Sequence, residues 1–417
     1  MSSPERKPIL IAGAGLASLL LAQSLLRASI PFRIYERDQS IQFRAQGYRL
    51  RLSNEGLDAI EQVLGPDGFR EFWETCGKTG GVGFSAIDAV TGEILSDGIP
   101  AVVTDNDDDE EKAKALKETL ASRDGKVVGI SRGDMRRLFL KGCEPFIHWG
   151  KHVRGYEILP DNGGVRAIFS DGSKSTEGEL LVGGEGIYSS VAEQLSAGIL
   201  KVFDTGARGI HGQASTTAYK GLGEGVWRIL DNTRSDGRVF VITNVRPDDM
   251  DDPEVQFGWT MGAQPGVIRP PNEDYTITGT VAADIAKSLA AGWHPSVRPL
   301  FDDMVAGEAA FWKITCSNPR GVPEWPNQSR VTVIGDAAHS MTPAGGIGAN
   351  TAVRDSALLG KLLAQTGGFA DGVTAAYEKE MRVYASEAVR ISYGLARSQF
   401  GVEIDENTPT IRRGVRA

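Results

Sequence analysis

The beginning of the chain combines a continuous apolar run with a segment of helical periodicity. The run "ILIAG" (9–13) is typical of a parallel strand that is buried on both faces. The following "LASLLLAQSLLRA" repeats apolar residues at helical spacing, and Pro31 precedes a second apolar run, "FRIYE". The pattern therefore predicts a strand, a tight glycine turn, a helix and a second strand.

The turn between the first strand and the helix matches the spacing G-x-G-x-x-G, except that Ser18 takes the third place. Gly13 permits the tight turn, and Gly15 lets a pyrophosphate approach the helix N-terminus, where free N–H groups and the helix dipole favour anions. Glu36 ends the second strand, where the ribose of a bound dinucleotide needs a hydrogen-bond acceptor. Because an acid in that place disfavours a 2′-phosphate, the motif predicts bound NAD or FAD rather than NADP.

A second glycine motif, Gly184-Glu185-Gly186, also follows an apolar run, and Asp204 lies 18 residues after Gly186. This motif leaves open a separate nicotinamide-binding domain. That interpretation is the less favoured one, because the helix after the motif would be short and "KVFD" (201–204) is a poor buried strand.

Strand-like patterns fill residues 146–182, as in a β-meander, and residues 206–321, whereas the final eighty residues are mostly helical. We therefore predict an α/β fold, with a Rossmann-like dinucleotide-binding domain formed by residues 1–76, 126–205 and 322–417 and ending in C-terminal helices. A β-sheet-rich substrate-binding domain, formed by residues 77–125 and 206–321, is expected to be inserted into it.

The composition restricts the cellular compartment and the binding partners that can be expected for this protein. A net charge of −9 argues against a nucleic-acid partner, and three distant cysteines indicate neither a disulfide framework nor a zinc site. The apolar stretch 9–26 is about as long as a membrane span, but its glycine spacing favours a strand, turn and helix. Because no signal peptide is visible, we expect a cytoplasmic protein without stable membrane insertion.

Three stretches together resemble the FAD motifs of single-component flavoprotein aromatic hydroxylases, the p-hydroxybenzoate hydroxylase class, particularly its members from secondary metabolism. The stretches are "GAGLAS…YERD", "LLVGGEGIYSSV" and "VIGDAAHSMTPAGGIGANTAVRDSALLG". The resemblance covers nearly the whole chain, and the pattern G-D-A-A-H…P…G-x-G-x-N is its most specific part.

The resemblance implies that the pyrophosphate of FAD faces the first glycine turn and that the adenosine ribose faces Glu36. It implies contact between Arg132 and the flavin, and between Asp336 and the ribityl and pyrophosphate region. Backbone groups of residues 348–350 would meet the pyrimidine edge of the flavin ring, while His339 would shape the turn. The full set of expected cofactor-binding residues is Gly13, Gly15, Glu36, Arg37, Arg44, Gly47, Arg132, Asp336, Gly346, Gly348, Ala349 and Asn350.

The middle motif departs from the family pattern, which usually reads Gly-Ala-Asp-Gly with a later arginine. Here Glu185 keeps the acid one methylene longer, and Ala192 stands where the arginine is expected. Since this segment is thought to serve both FAD and the passing nicotinamide, the departure bears on the choice between NADH and NADPH.

The resemblance implies a monooxygenase that uses NADPH or NADH and O2 to insert one oxygen atom into an aromatic or polyketide-like small molecule, through a flavin C4a-hydroperoxide. Such an enzyme would be a monomer or a homodimer. No catalytic side chain is assigned, although His211 and Tyr219 are candidate bases. A reductase or oxidase on the same fold and a non-catalytic flavoprotein are the alternatives.

Overall fold

The computed structural model describes residues 6–40, 49–79, 84–95, 122–246, 249–252 and 254–411. The strands within these segments are β1 (Ile9–Ala12), β2 (Phe32–Glu36), β3 (Arg49–Leu52), β4 (Gly77–Thr79), β5 (Phe84–Asp88), β6 (Ile94–Leu95), β7 (Val127–Ser131), β8 (Ile147–Trp149), β9 (Val153–Ile158), β10 (Val165–Phe169), β11 (Leu180–Gly183), β12 (Phe203–Ser215), β13 (Gly225–Asp231), β14 (Val239–Val245), β15 (Gln256–Ala263), β16 (Ala310–Cys316) and β17 (Val331–Val333). The helices are α1 (Leu16–Arg27), α2 (Asn54–Thr75), α3 (Arg132–Leu140), α4 (Ser190–Leu195), α5 (Thr280–Leu289), α6 (Pro299–Asp302), α7 (Asp336–His339), α8 (Gly348–Gln365) and α9 (Val373–Phe400).

A five-stranded parallel sheet, in the order β17-β11-β1-β2-β8, forms the centre of the α/β part. The side chains of β1 and β11 are buried throughout, because the sheet is covered on both faces. Parallel strands must be joined by crossover connections, so α1 leads from β1 to its neighbour β2. The predicted α/β fold class is confirmed.

Helices α1 and α8 pack closely against each other beside this sheet. A Cβ atom at Gly360 would collide with Ser24 of α1, so the glycine allows the two helix backbones to approach. The Ser356 hydroxyl donates a hydrogen bond of 2.7 Å to the carbonyl of Ala17 across the same contact. The contact fixes the start of α8 relative to the turn after β1.

A seven-stranded sheet, in the order β16-β12-β15-β14-β13-β5-β6, forms the second layer. Its pairs are antiparallel except for β13 with β5. The sheet contains strands from both segments of the predicted substrate-binding domain, because β5 and β6 come from the first segment and the other strands from the second. The buried strand side chains alternate with half-exposed ones, as β12 and β13 show. Strand β4 instead joins β3 and β7 in a three-stranded antiparallel sheet.

The predicted β-meander over residues 146–182 is wrong. Strands β8 and β11 join the parallel sheet, and only β9 and β10 form an antiparallel hairpin. Short strands in succession carry no local mark that distinguishes a neighbouring partner from a distant parallel one.

None of the helices in the described part of the chain combines the length and the apolar character that crossing a bilayer requires. The apolar stretch near the N-terminus forms β1, the glycine turn and α1.

Gly13 is expected to be intolerant of a side chain for two separable reasons. Its φ is +87°, and a Cβ atom there would lie 2.7 Å from the carbonyl oxygen of Gly184. Gly172 has a similar φ of +79° but no neighbour within 4 Å of the same position. Gly172→Ala should therefore cost only the left-handed penalty of about 1–2 kcal/mol, and Gly13→Ala at least about 1 kcal/mol more.

Urea unfolding of both variants and of the wild type measures these differences. Equal losses of the free energy of unfolding in the two variants would show that the close approach of the turns at Gly13 and Gly184 does not constrain the fold.

Candidate functional site

A cavity of about 2610 Å³ lies at the carboxyl ends of the parallel strands. The first residues after four of these strands line it, namely Gly13, Arg37, Gly184 and Ile334. Residues of β12, β13, β14 and β15 line the opposite side, so the cavity lies between the two main sheets. This edge of a parallel sheet is where α/β proteins bind ligands.

The first glycine turn lines the cavity. The N–H of Gly13 donates to the Tyr35 carbonyl (2.8 Å), and the N–H of Ala14 donates to the Glu36 carboxylate (2.6 Å). Glu36 also accepts from the N–H of Asp38 (2.9 Å) and is only 7% exposed. Glu36 is thereby fixed at the end of β2, beside the N-terminus of α1, with oxygen lone pairs left to accept from a ligand.

A second element of the site is the loop after β17, which carries Asp336. Gly335 adopts a φ of +60°, and the next residue begins the short helix α7. The Asp336 side chain is exposed, and the surface it exposes faces the cavity. Desolvation by the surrounding protein raises the pKa of Asp336, while the nearby charges of His339 and Arg132 lower it in part.

The loop is held from behind by the fully buried carboxylate of Asp355 on α8. Asp355 accepts hydrogen bonds from the N–H of Gly335 (2.7 Å) and from the hydroxyl of Tyr384 on α9 (2.7 Å). Its third partner is the Nε2 atom of His339, at 2.6 Å. Burial disfavours the charged imidazole, but the carboxylates of Asp355 and Asp336 favour it, and the pKa of His339 is raised.

The N-terminus of α8 forms the third element. Gly346, Gly348 and Ala349 line the cavity, whereas the Asn350 side chain is buried. The amide of Asn350 donates to the carbonyls of Arg51 and Gly346, both at 2.9 Å, and its oxygen accepts from the N–H of residue 53, also at 2.9 Å. Asn350 thus ties the helix start to β3, a role that the motif alone did not suggest.

Arg132 is the first residue of α3 and also lines the cavity. The hydroxyl of Ser131 caps this helix by accepting from the N–H of Asp134 (3.0 Å). Two further expected cofactor-binding residues, Arg44 and Gly47, lie outside the described residues. The cofactor contacts themselves, for the whole expected set, stay predictions.

The interpretation of Gly184-Glu185-Gly186 as a separate nicotinamide-binding domain is wrong. Strand β11, which precedes this motif, pairs directly with β1, and Gly184 donates to the Ala12 carbonyl at 2.8 Å. Asp204 belongs to the other sheet. The Glu185 carboxylate accepts from Ser189 Oγ (2.7 Å) and from the N–H of Val191 (3.2 Å) at the start of α4, so the altered motif remains a stable turn in the cavity wall.

Aromatic side chains form part of the wall opposite the parallel sheet. His211 and Trp312 stack with ring centroids 5.0 Å apart, and Nδ1 of His211 lies 3.0 Å from the Thr260 hydroxyl. Burial lowers the pKa of His211 to about 3, so its imidazole is neutral near pH 7. Tyr219, the other candidate base, is fully buried and donates to the Phe257 carbonyl, and it does not line the cavity.

The residues present fit an FAD molecule. The Asp336 carboxylate faces the cavity and makes no hydrogen bond to any residue that the structure describes, so its oxygens are available to ligand hydroxyls. Two helix N-termini, those of α1 and α8, open onto the same space and favour negatively charged groups there. A cavity whose wall combines an anion-binding turn with glycine-rich backbone suits a flavin dinucleotide.

The fold and the site therefore define an FAD-binding α/β protein. A family model described as FAD binding domain matches residues 146–392, which is more than half of the chain. The chain belongs to this family, and the family predicted from the sequence motifs is confirmed.

Curated relatives are named as FAD-dependent monooxygenases. A dual O-methyltransferase/FAD-dependent monooxygenase of Phaeosphaeria nodorum is 29% identical over 86% of this chain and 40% of its own length. An FAD-dependent monooxygenase of Trichoderma harzianum is 26% identical over 85% of this chain and 82% of its own length. The chain spans less than half the length of the first curated relatives it matches.

Solved structures show the same fold. The 2,6-dihydroxypyridine-3-hydroxylase from Arthrobacter nicotinovorans superposes with a TM-score of 0.69 at 18% identity, covering 98% of this chain and 96% of its own. Klebsiella pneumoniae HpxO, complexed with FAD and uric acid, gives a TM-score of 0.65 at 20% identity, covering 94% and 88%.

Asp355→Asn tests the support of the Asp336 loop. The amide keeps the shape but places an N–H2 group where an acceptor is needed, so at least one of the three donors around Asp355 loses its partner. We expect a loss of roughly 1–3 kcal/mol in the free energy of unfolding and an FAD dissociation constant raised about tenfold or more. Asp371→Asn, an exposed residue before α9, is the matched control and should change neither.

The free energy of unfolding is also expected to depend on pH through His339. Because the pKa of His339 is raised in the folded state, its protonation stabilises the wild type below its ordinary pKa near 6.5, and this contribution is lost as the pH rises through the folded value. Urea unfolding should show that loss in the wild type and a smaller one in Asp355→Asn. Identical pH profiles would contradict the pairing of His339 with Asp355.

Proposed function

We propose that this protein is an FAD-dependent monooxygenase that uses NADPH or NADH and O2 to insert one oxygen atom into an aromatic or polyketide-like small molecule. The observation that carries the proposal is the arrangement around the cavity. Asp336 and the backbone of Gly348 and Ala349 face it from one side, and the aromatic wall of the second sheet faces it from the other. The names of the curated relatives support the same activity.

The chain's own residues would bind and orient the cofactor. Gly15 and the N–H groups at the start of α1 would hold the pyrophosphate, and Glu36 would accept from the adenosine ribose. Asp336 would accept from the ribityl hydroxyls at the other end. When bound and reduced, FAD supplies the electrons that activate O2, so the protein needs no nucleophile or metal of its own for this step.

Helix α8 would stabilise negative charge on the flavin. Its first residues, Gly348 and Ala349, have N–H groups without partners within the helix, and the helix dipole adds partial positive charge at this end. Fixed dipoles of this kind stabilise a charge that develops nearby without reorganising.

The substrate would lie between the flavin end of the cavity and the second sheet. Phe240 and the stacked pair of His211 and Trp312 offer flat apolar surfaces to a planar molecule. The neutral His211 ring adds no charge to the wall against which a phenol or a ketone would lie. We therefore favour an orienting role for His211 over a role as a charged acid.

Isotopically labelled O2 tests the oxygen insertion. The FAD-loaded protein is incubated with NADPH or NADH and a panel of planar phenols and polycyclic ketones, and the products are analysed by mass spectrometry. We expect substrate-stimulated nicotinamide oxidation and one labelled oxygen atom in a product. An anaerobic reaction is the control and should give no product.

Hydrogen peroxide formed in proportion to substrate consumed, with no label in any product, would indicate an oxidase. Product formation without O2 would indicate a reductase. Either result would overturn the monooxygenase proposal while leaving the FAD site in place.

A further inference from the structure

Two arginines from different sheets meet in the cavity wall. Arg49 begins β3, and Arg246 directly follows β14. A Cβ atom built on Gly77 would lie 2.6 Å from Nε of Arg246 and 2.9 Å from Nη2 of Arg49, so both guanidinium groups lie against this one glycine. Both arginines line the cavity.

The two like charges are held in a poorly solvated place. Arg246 is 4% exposed, and burial, followed by the charge of Arg246, lowers the pKa of Arg49 to about 10. An arrangement of this kind costs free energy unless negative charge compensates it. Of the nearby carboxylates, Asp249 pairs with Arg246, while Asp134 is engaged by Ser131 and Arg137.

The partners within the chain do not use all the donors of the pair. The Arg246 guanidinium lies 4.5 Å from the centre of the Phe257 ring, and Arg49 Nη2 donates to the Gly129 carbonyl at 3.3 Å. Arg49 Nε and Arg246 Nη1 are buried and have no hydrogen-bond partner among the residues that the structure describes. Buried donors in native proteins are nearly always paired, so these two indicate a missing acceptor.

We propose that Arg49 and Arg246 form a binding subsite for an oxyanion, either a carboxylate or a phosphate, carried by a ligand that enters the cavity. A planar guanidinium binds such groups through two parallel hydrogen bonds, and two guanidinium groups at one point favour an anion over a neutral isostere. The inference depends on the cavity wall and not on the oxygen insertion proposed above.

Two pairs of probes distinguish the possible sources of the anion. Benzoate and benzamide have the same shape and differ in charge, which tests a carboxylate on an aromatic ligand. NADP⁺ and NAD⁺ differ by one phosphate, which tests the nicotinamide nucleotide. Calorimetric titration of the FAD-loaded protein measures binding of each probe without requiring turnover.

For at least one pair, the wild type should bind the more negatively charged member about tenfold or more tightly, and Arg49→Met and Arg246→Met should each remove most of that preference. The affinity of both methionine variants for the less negatively charged member of the pair should change little. The matched control is Arg70→Met, which removes an exposed charge on α2 paired with Asp67. The pair of probes that responds identifies the source of the anion.

Arg49→Lys and Arg246→Lys keep the charge and protect the test against misfolding, and retained flavin absorbance identifies the variants that are folded. The lysine variants should bind the anionic probe with an intermediate affinity. A wild type with no preference in either pair, or methionine variants that keep the full preference, would overturn the proposal.

Discussion

One buried carboxylate fixes the geometry on which the candidate site depends. Asp355 accepts from the N–H of Gly335, from the His339 ring and from the Tyr384 hydroxyl, and it has no exposed surface. These groups belong to the loop after β17, to α7 and to α9, while Asp355 itself belongs to α8. The first two contacts are buried and the third is partly buried, so shifting any of these elements would leave the buried carboxylate short of a partner.

The position of the cavity-facing groups follows from this constraint. Asp336 directly follows Gly335, so the hydrogen bond that fixes Gly335 also fixes the position of the Asp336 carboxylate. Helix α8 begins at Gly348, two turns before Asp355, so the same contacts set the direction in which its N-terminus points. On the other flank, the Asn350 amide ties that N-terminus to β3. The glycine-rich backbone that lines the cavity is therefore supported by the hydrogen bonds of Asp355 and Asn350.

Such an arrangement is suited to a protein whose cofactor carries the reactive group. Small residues and N–H groups let a flat ring approach the chain, and the second sheet supplies aromatic surface across the cavity. The paired arginines beside Gly77 place two like charges close together in this cavity wall. Under the proposed function, different sheets would contact the cofactor and the substrate.

Much of the cofactor end could be predicted from the sequence, because its signals are local. The strand, the glycine turn and the acid at Glu36 follow one another within one strand-helix-strand unit, and the Asp336 loop lies in one continuous motif. The α/β fold and the family followed from these stretches and are confirmed.

The supporting contacts could not be predicted because they join residues that are far apart in the chain. Asp355 gave one available signal, since it is a charged residue on the apolar face of an amphipathic helix, but its partner Tyr384 lies on another helix. Arg49 and Arg246 come from different sheets, and no pattern along the chain brings them together. The division of residues 146–182 between two sheets likewise depends on pairing with β1 and β2, which is a property of the folded molecule.

The most direct test of this account is the flavin selectivity of the purified protein. Flavin is removed, and FAD, FMN and riboflavin are titrated separately against the apoprotein while the quenching of flavin fluorescence is followed. If the glycine turn and Glu36 bind the adenosine diphosphate half while the Asp336 loop and α8 bind the flavin half, one FAD should bind per chain, at least about tenfold more tightly than FMN. Equal affinity for FAD and FMN, or no flavin binding at all, would contradict the account.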